Sequence, residues 1–241
     1  MAFAYRTSPL VIFTGRRITP LPKYILLFLL VLFSGVPLFA DEVLQGRFVV
    51  DLEPVAAMEP GVPYPLDQQT AARRIFEEAA VDFAAMIYGW SFLYEPGDKT
   101  RQIEEFFELK PLGTILWGDS RMTALDTYSE GSKLYVWAEY RPDEIQRRYL
   151  AAGREGSAKN AQGTGSAPVY LGVRGKSDAL EDSAREALRG ILRGSERNKP
   201  KEARGTLVLS EIPRFWVDAG YFYCAARFRV IVKEVVPFKV F

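Results

Sequence analysis

One run of twelve residues narrows the folds open to this chain more than any other. From Tyr221 to Val232, the residues Phe222, Cys224, Ala226, Phe228, Val230 and Val232 alternate strictly with their neighbours. Side chains on a strand point to opposite faces at a period of two, so one face of this strand is built for burial. Such a strand needs a partner and a cover. The turn Asp218-Ala219-Gly220 and a strand beginning at Thr206-Leu207-Val208-Leu209 supply the partner. The cover lies earlier, where Leu180, Ala184, Ala187, Leu188, Ile191 and Leu192 form one stripe at helical spacing. Asp178 stands as its N-cap, Glu181 as the reciprocal partner three residues on, and Gly194 as its stop. With the apolar run Val169-Tyr170-Leu171-Gly172-Val173 and the turn 174–177 in front, the stretch 169–232 reads strand, helix, strand, strand.

The same order is legible upstream. Ala72, Phe76, Ala79, Ala80, Phe83 and Ala84 lie 108 positions before the six helix residues just named. Gly113-Thr114-Ile115-Leu116 lies 92 positions before Gly205-Thr206-Leu207-Val208, and Leu134, Val136, Ala138 and Tyr140 lie 88 before Phe222, Cys224, Ala226 and Phe228. Amphipathic helices and alternating hairpins are each common, so coincidence competes with duplication as the explanation. The expected fold is α+β: two βαββ-like units, with antiparallel sheets and amphipathic helices packed on one face. The first unit covers 41–152, with a strand in 41–53 and a helix capped by Asp67 and stopped by Gly89. An insertion at 90–110 follows, with Ile103, Phe106, Phe107 and Leu109 as a short helix able to cover an edge or face of the sheet. A hairpin turns at Glu130-Gly131-Ser132, and a short helix spans 143–152. Residues 153–168 have almost no apolar content and read as a flexible linker. The second unit covers 169–241.

The first forty residues differ from the rest. They contain Arg6, Arg16, Arg17 and Lys23 and no acidic residue, then the apolar run Ile25–Phe33 and Ala40 before Asp41. That is the pattern of a signal peptide over 1–40, with a retained N-terminal membrane anchor as the alternative. The expected location is outside the cytoplasm, in the periplasm or cell envelope. Removing those four cations from the 31 basic residues leaves 27 against 30 acidic ones. A net acidic chain lacks the footprint needed to bind nucleic acid.

Several chemistries lose their usual residues. With no histidine, the commonest general base and transition-metal ligand are missing. Cys224 is the only cysteine; its place on the apolar side of a strand predicts a small buried hydrophobe rather than a reactive thiol. The acidic pairs Glu77-Glu78 and Glu104-Glu105 sit in helical patterns and read as solvated faces. Gly172–Ser177 has the setting of a phosphate loop, but Tyr170 stands where the first glycine belongs, so a tight turn into the helix is expected. No catalytic, cofactor or metal residues are assigned.

The outward side of the hairpins is more informative. If helices cover one side of the sheet, the other carries Tyr135, Trp137 and Arg141 from the first hairpin and Tyr221, Tyr223 and Arg227 from the second. Interleaved aromatics and arginines provide rigid contact area with polar ends, as binding surfaces do. The competing reading is that this side is covered and belongs to the core. The helix segment Ala71-Ala72-Arg73-Arg74-Ile75-Phe76 and the strand segment Ala225-Ala226-Arg227-Phe228-Arg229, set behind an export signal, resemble two small envelope modules. These are the small outer-envelope lipoproteins and the N-terminal module of the flagellar T-ring protein; uncharacterised exported proteins of spirochaetes are also similar. The resemblance implies a scaffolding or partner-binding role with no catalytic residues to carry over. The chain departs from the lipoproteins in having no cysteine near Ala40 to acylate. The expectation is a non-catalytic binding or assembly protein, with an envelope protein or cell-wall glycan as partner and membrane contact only through an uncleaved N-terminus. The alternatives are a carboxylate-dependent cell-wall glycan hydrolase and a membrane-tethered accessory subunit.

Overall fold

The computed structural model describes residues 42–54, 61–154, 158–195 and 198–238, so the export signal expected over 1–40 lies outside the described residues. Among the described residues the order is β1 (Leu44–Asp51), α1 (Gln68–Ile87), β2 (Trp90–Glu95), β3 (Phe106–Pro111), β4 (Met122–Glu130), β5 (Lys133–Tyr140), α2 (Glu144–Arg154), β6 (Lys159–Pro168), α3 (Val173–Ser195), β7 (Glu202–Leu209), β8 (Arg214–Asp218) and β9 (Tyr221–Val236). The fold is α+β with antiparallel sheets. A three-stranded sheet runs β1-β5-β4, and a larger sheet runs β3-β2-β7-β9-β6. The sixteen-residue β9 is the spine of the larger sheet. It pairs with β6 along Tyr221–Val230, while β8 and β7 share its other edge, at Tyr221–Ala225 and Phe228–Val236.

Local chemistry sets the helix ends. Asp67 caps α1 by accepting from the Thr70 amide at 2.9 Å and the Thr70 hydroxyl at 2.6 Å. Gly89, at φ +68°, ends the helix; a Cβ there would lie 2.2 Å from the carbonyl oxygen of Leu207, so the turn into β2 tolerates only glycine. Helix α2 opens with a capping box: the Gln146 amide donates to Asp143 Oδ1 at 2.9 Å, and the Asp143 amide donates to Gln146 Oε1 at 3.0 Å.

Helices α1 and α3 supply the helical side of the two cores. Helix α1 buries Ile75, Ala79 and Phe83 against Phe48, Val136 and Tyr140, with Phe48 and Phe83 edge to face at 5.7 Å. Helix α3 buries Ala179, Ala184, Ala187 and Leu188 against Cys224, Ala226, Phe228 and Leu207. Ala138 and Cys224, both expected to face inward, are fully buried.

The structure corrects four expectations. Residues 153–168 are not a linker: the first two close α2 and 159–168 form β6. The buried face of β6 is made of Ala161, Gly163, Gly165 and Ala167 rather than large apolar residues. A Cβ on Gly163 would stand 1.9 Å from the Ser183 carbonyl oxygen, and one on Gly165 2.2 Å from the Ser183 amide. Helix α3 thus lies on the bare backbone of β6, and the small residues that permit this also give the segment its linker-like composition. The strand expected over 169–173 is instead a single 3-10 turn followed by α3, which starts five residues before Asp178. The insertion is not a cover; residues 90–95 and 106–111 are strands, and β2 pairs with β7 from Trp90↔Leu207 to Tyr94↔Ala203. That pairing crosses between the two expected units, and Asp41–Phe241 clusters as one compact unit. Finally, Gly113–Leu116 is a loop, with only Ile115 inserted into the core.

Candidate outward binding faces

The six candidate residues fall on two different sheets. On the smaller one, the register sets Arg47, Trp137 and Asp126 side by side, and Val49, Tyr135 and Tyr128 in the next row. Tyr128 stacks on Tyr135 at 4.9 Å and 10°, and the Arg47 guanidinium sits 5.6 Å from the Tyr135 ring centre. Trp137 is 41% exposed. Beside it Glu139 accepts from Arg141 Nε and from Gln45 Nε2, each at 2.8 Å, and these bonds, Arg141 first, hold its carboxyl below the usual range. Arg141 is exposed, with its guanidinium committed in part to Glu139.

On the larger sheet, Trp216, Tyr223 and Ser166 share one row, Asp218, Tyr221 and Pro168 the row before, and Arg214, Ala225 and Thr164 the row after. Trp216 stacks on Tyr223 at 5.4 Å and 11° and is 43% exposed; Tyr221 is exposed to a similar degree. Arg227 is exposed and only 3.5 Å from Glu211, a long pairing that leaves the guanidinium open to solvent. Farther along, Arg229 donates to the Gly153 carbonyl at 3.4 Å, and α2 ends over that part of the face. Neither Trp137 nor Trp216 is covered, and each cluster is built within its own sheet.

Sequence reasoning missed the partners Tyr128, Arg47 and Trp216. Equal spacing from the Gly131 and Gly220 turns is the sequence signal for Tyr128 and Trp216, whereas Arg47 is revealed by the strand register. It also missed the loop 112–121, where Leu116 is 76% exposed and Trp117 packs edge to face on Phe76 beneath Arg73. The loop is fastened by Arg121, which binds Asp119, Asp143 and Gln146, while Tyr140 and Tyr88 complete the network through Gln146. The Arg121 hydrogen bond holds the Asp119 carboxyl at about 2.

Groups weighed for catalysis are otherwise engaged. Glu77 pairs with Arg73 on an exposed face. Glu78 accepts from Lys176 Nζ at 2.8 Å, so the lysine of the phosphate-loop-like segment serves an internal ion pair. Glu105 lies before β3 rather than on a helix; although burial opposes its charge, Arg189 and the Tyr94 hydroxyl hold its carboxyl below the usual range. Burial pushes the Cys224 thiol up to about 12, consistent with an inert side chain. Asp82 is 3% exposed, and its Oδ2 has no hydrogen-bond partner. Burial first, then Glu78, raises its carboxyl well above the normal range against the pull of Lys176. A polar recess at the free edge of β6 is lined by Ser166, Arg174, Asp178, Glu181, Asp182 and Arg185. There burial, with Asp178 and Asp182, raises the Glu181 carboxyl.

A protein-family model matches residues 34–238. A protein of Treponema pallidum (strain Nichols), named "Uncharacterized protein", is 26% identical over 209 residues, covering 84% of this chain and 87% of its own length. No solved structure matches. Neither match shows the resemblance to the outer-envelope lipoproteins or the T-ring module.

Proposed function

We propose that this chain, which belongs to an uncharacterised spirochaete protein family, is an exported, non-catalytic binding or assembly protein of the periplasm or cell envelope. The observation that carries the reading is the openness of the outward faces: Trp137, and Trp216 stacked on Tyr223, lie exposed beside arginines, on sheets whose opposite faces hold the cores beneath α1 and α3. A rigid sheet holds these aromatics in place before any ligand arrives, which lowers the ordering cost of binding. Export rests on the basic, then apolar, then small-residue pattern of residues 1–40. The shared order of strand, helix and terminal hairpin supports descent from a duplicated unit, with β3 and the β2–β7 pairing as later elaboration.

Photo-crosslinking from positions 137 and 216 in the native envelope tests the role. Recovery of one specific partner or of cell-wall material is expected, and recovery of neither contradicts it. Sequencing the mature N-terminus tests export: a start at Asp41 is expected, and a chain that keeps Met1 favours the tethered subunit. One observation favours the hydrolase reading, namely the polar recess that gathers Glu181, Asp178 and Asp182, where burial raises the Glu181 carboxyl. Glycan cleavage abolished by Glu181→Gln would establish it in place of the binding role.

A further inference from the structure

We infer that the outward face of β6, β8 and β9 is a seat for a carboxylate-bearing polysaccharide, an inference that rests on the binding role proposed above. At the aromatic edge, Trp216 spends one ring face on Tyr223, and among the described residues β8 pairs only with β9, so the other ring face looks toward an open sheet edge. An indole face presented this way offers the apolar side of a pyranose ring a flat, preformed contact.

On the same face the neighbouring strand β6 presents Asn160, Gln162, Thr164 and Ser166, all exposed and all short and polar. A protein partner would call for an apolar, water-free centre here, and this row has none. Hydroxyls and amides at every second position suit a ligand that offers hydroxyls along its length. Ala225, between Tyr223 and Arg227, keeps the middle of the face low.

Charge points the same way: the face carries the open guanidiniums of Arg214 and Arg227, with Arg229 partly covered by the end of α2, against the carboxylates of Asp218 and Glu211. At the β6 edge the α3 acids Asp178, Glu181 and Asp182 face Arg174 and Arg185, with Asp182 paired to Arg185 and Asp178 to Arg174. Three arginines against two carboxylates leave a small cationic excess on this face, in a chain with 27 basic and 30 acidic residues beyond position 40. Arginine forks match carboxylates in a way that neutral sugars do not need.

The test is affinity electrophoresis and calorimetry of the full chain with three probes: soluble peptidoglycan strands, polygalacturonate and neutral dextran. Retention by one or both carboxylated polymers and not by dextran is expected, weakening several-fold between 50 and 200 mM salt, roughly as for other ion-pairing polyanions. Trp216→Ala and Arg227→Ala are each expected to weaken binding about tenfold, the scale of one well-placed contact, with unchanged circular dichroism. Binding to the strands alone assigns the ligand to the wall, and binding to both assigns acidic glycan in general. Retention of neither polymer, equal retention of dextran, or binding unmoved by both variants overturns the inference. A protein crosslinked at position 216 in a chain that binds no glycan would overturn it while leaving the binding role intact.

Discussion

Helices α1 and α3 follow their strands in the same order yet meet them by opposite means. Between α1 and β1 the space is filled by Phe48, Phe83 and Ile75, large side chains that interlock. Between α3 and β6 there are almost no side chains, because Ala179, Ser183 and Ala187 rest on Gly163 and Gly165. The first contact draws its stability from apolar area; the second draws it from close backbone approach and from the absence of anything that would hold the surfaces apart. One consequence concerns function. Close seating of α3 keeps the inner face of β6 sealed by small residues, so the strand can devote its polar side chains to the outer face.

The contrast predicts a graded set of outcomes. Gly163→Val carries the largest effect, because its Cβ would meet backbone that cannot swing aside; a loss of about 3 kcal/mol or more in urea unfolding is expected. Phe83→Ala tests the other contact and is expected to cost about 3–5 kcal/mol through lost burial and a residual cavity. If the Gly163 variant keeps its native spectrum and costs less than the Phe83 variant, the distinction between the two contacts fails. Asp82 lies on the side of α1 turned toward Cys224 and Lys176, and it sharpens the comparison through pH. Its folded carboxyl takes up its proton more readily than the unfolded one. Its contribution is therefore complete below about pH 4 and is lost as pH rises through the raised folded value. Asp82→Asn should remove that slope, giving a Tm higher than the parent at pH 8 by roughly 2–4 °C per kcal/mol gained, with the gap closing toward pH 4. A constant gap across that range would mean that Asp82 is ionised in the folded protein. Gly46→Ala carries the smallest effect: its Cβ meets the side chain of Ile212, which can give, so about 1 kcal/mol is expected.

Legibility followed the same division. Where large residues repeat at a clear period, the sequence predicts the element well: the Asp67 cap and Gly89 stop bound α1, and the alternations in β5 and β9 place Ala138 and Cys224 inside. Where the buried face is glycine and alanine, hydrophobic periodicity has nothing to report, and β6 passes for a linker. The pairing of β2 with β7 joins residues more than a hundred positions apart, and neither strand names its partner. Asp82 looks like one more polar residue on a helix because the sequence carries no sign that this side of α1 is covered. The candidate faces were legible as strand residues of the right type. Their division between two sheets and the stacking partners Tyr128 and Trp216 depend on register, which alternation alone does not set.

Everything proposed for the larger sheet depends on 159–168 being a strand beneath α3. Residue-resolved amide hydrogen exchange measures this directly. Ser166 turns its amide outward to Asp182 at 3.0 Å, so the amides of Gly163 and Gly165 point to β9. They are expected to be protected on the order of a thousandfold or more, together with the core of β9. Exchange of both glycines at the rate of an open chain, with β9 still protected, would contradict the account.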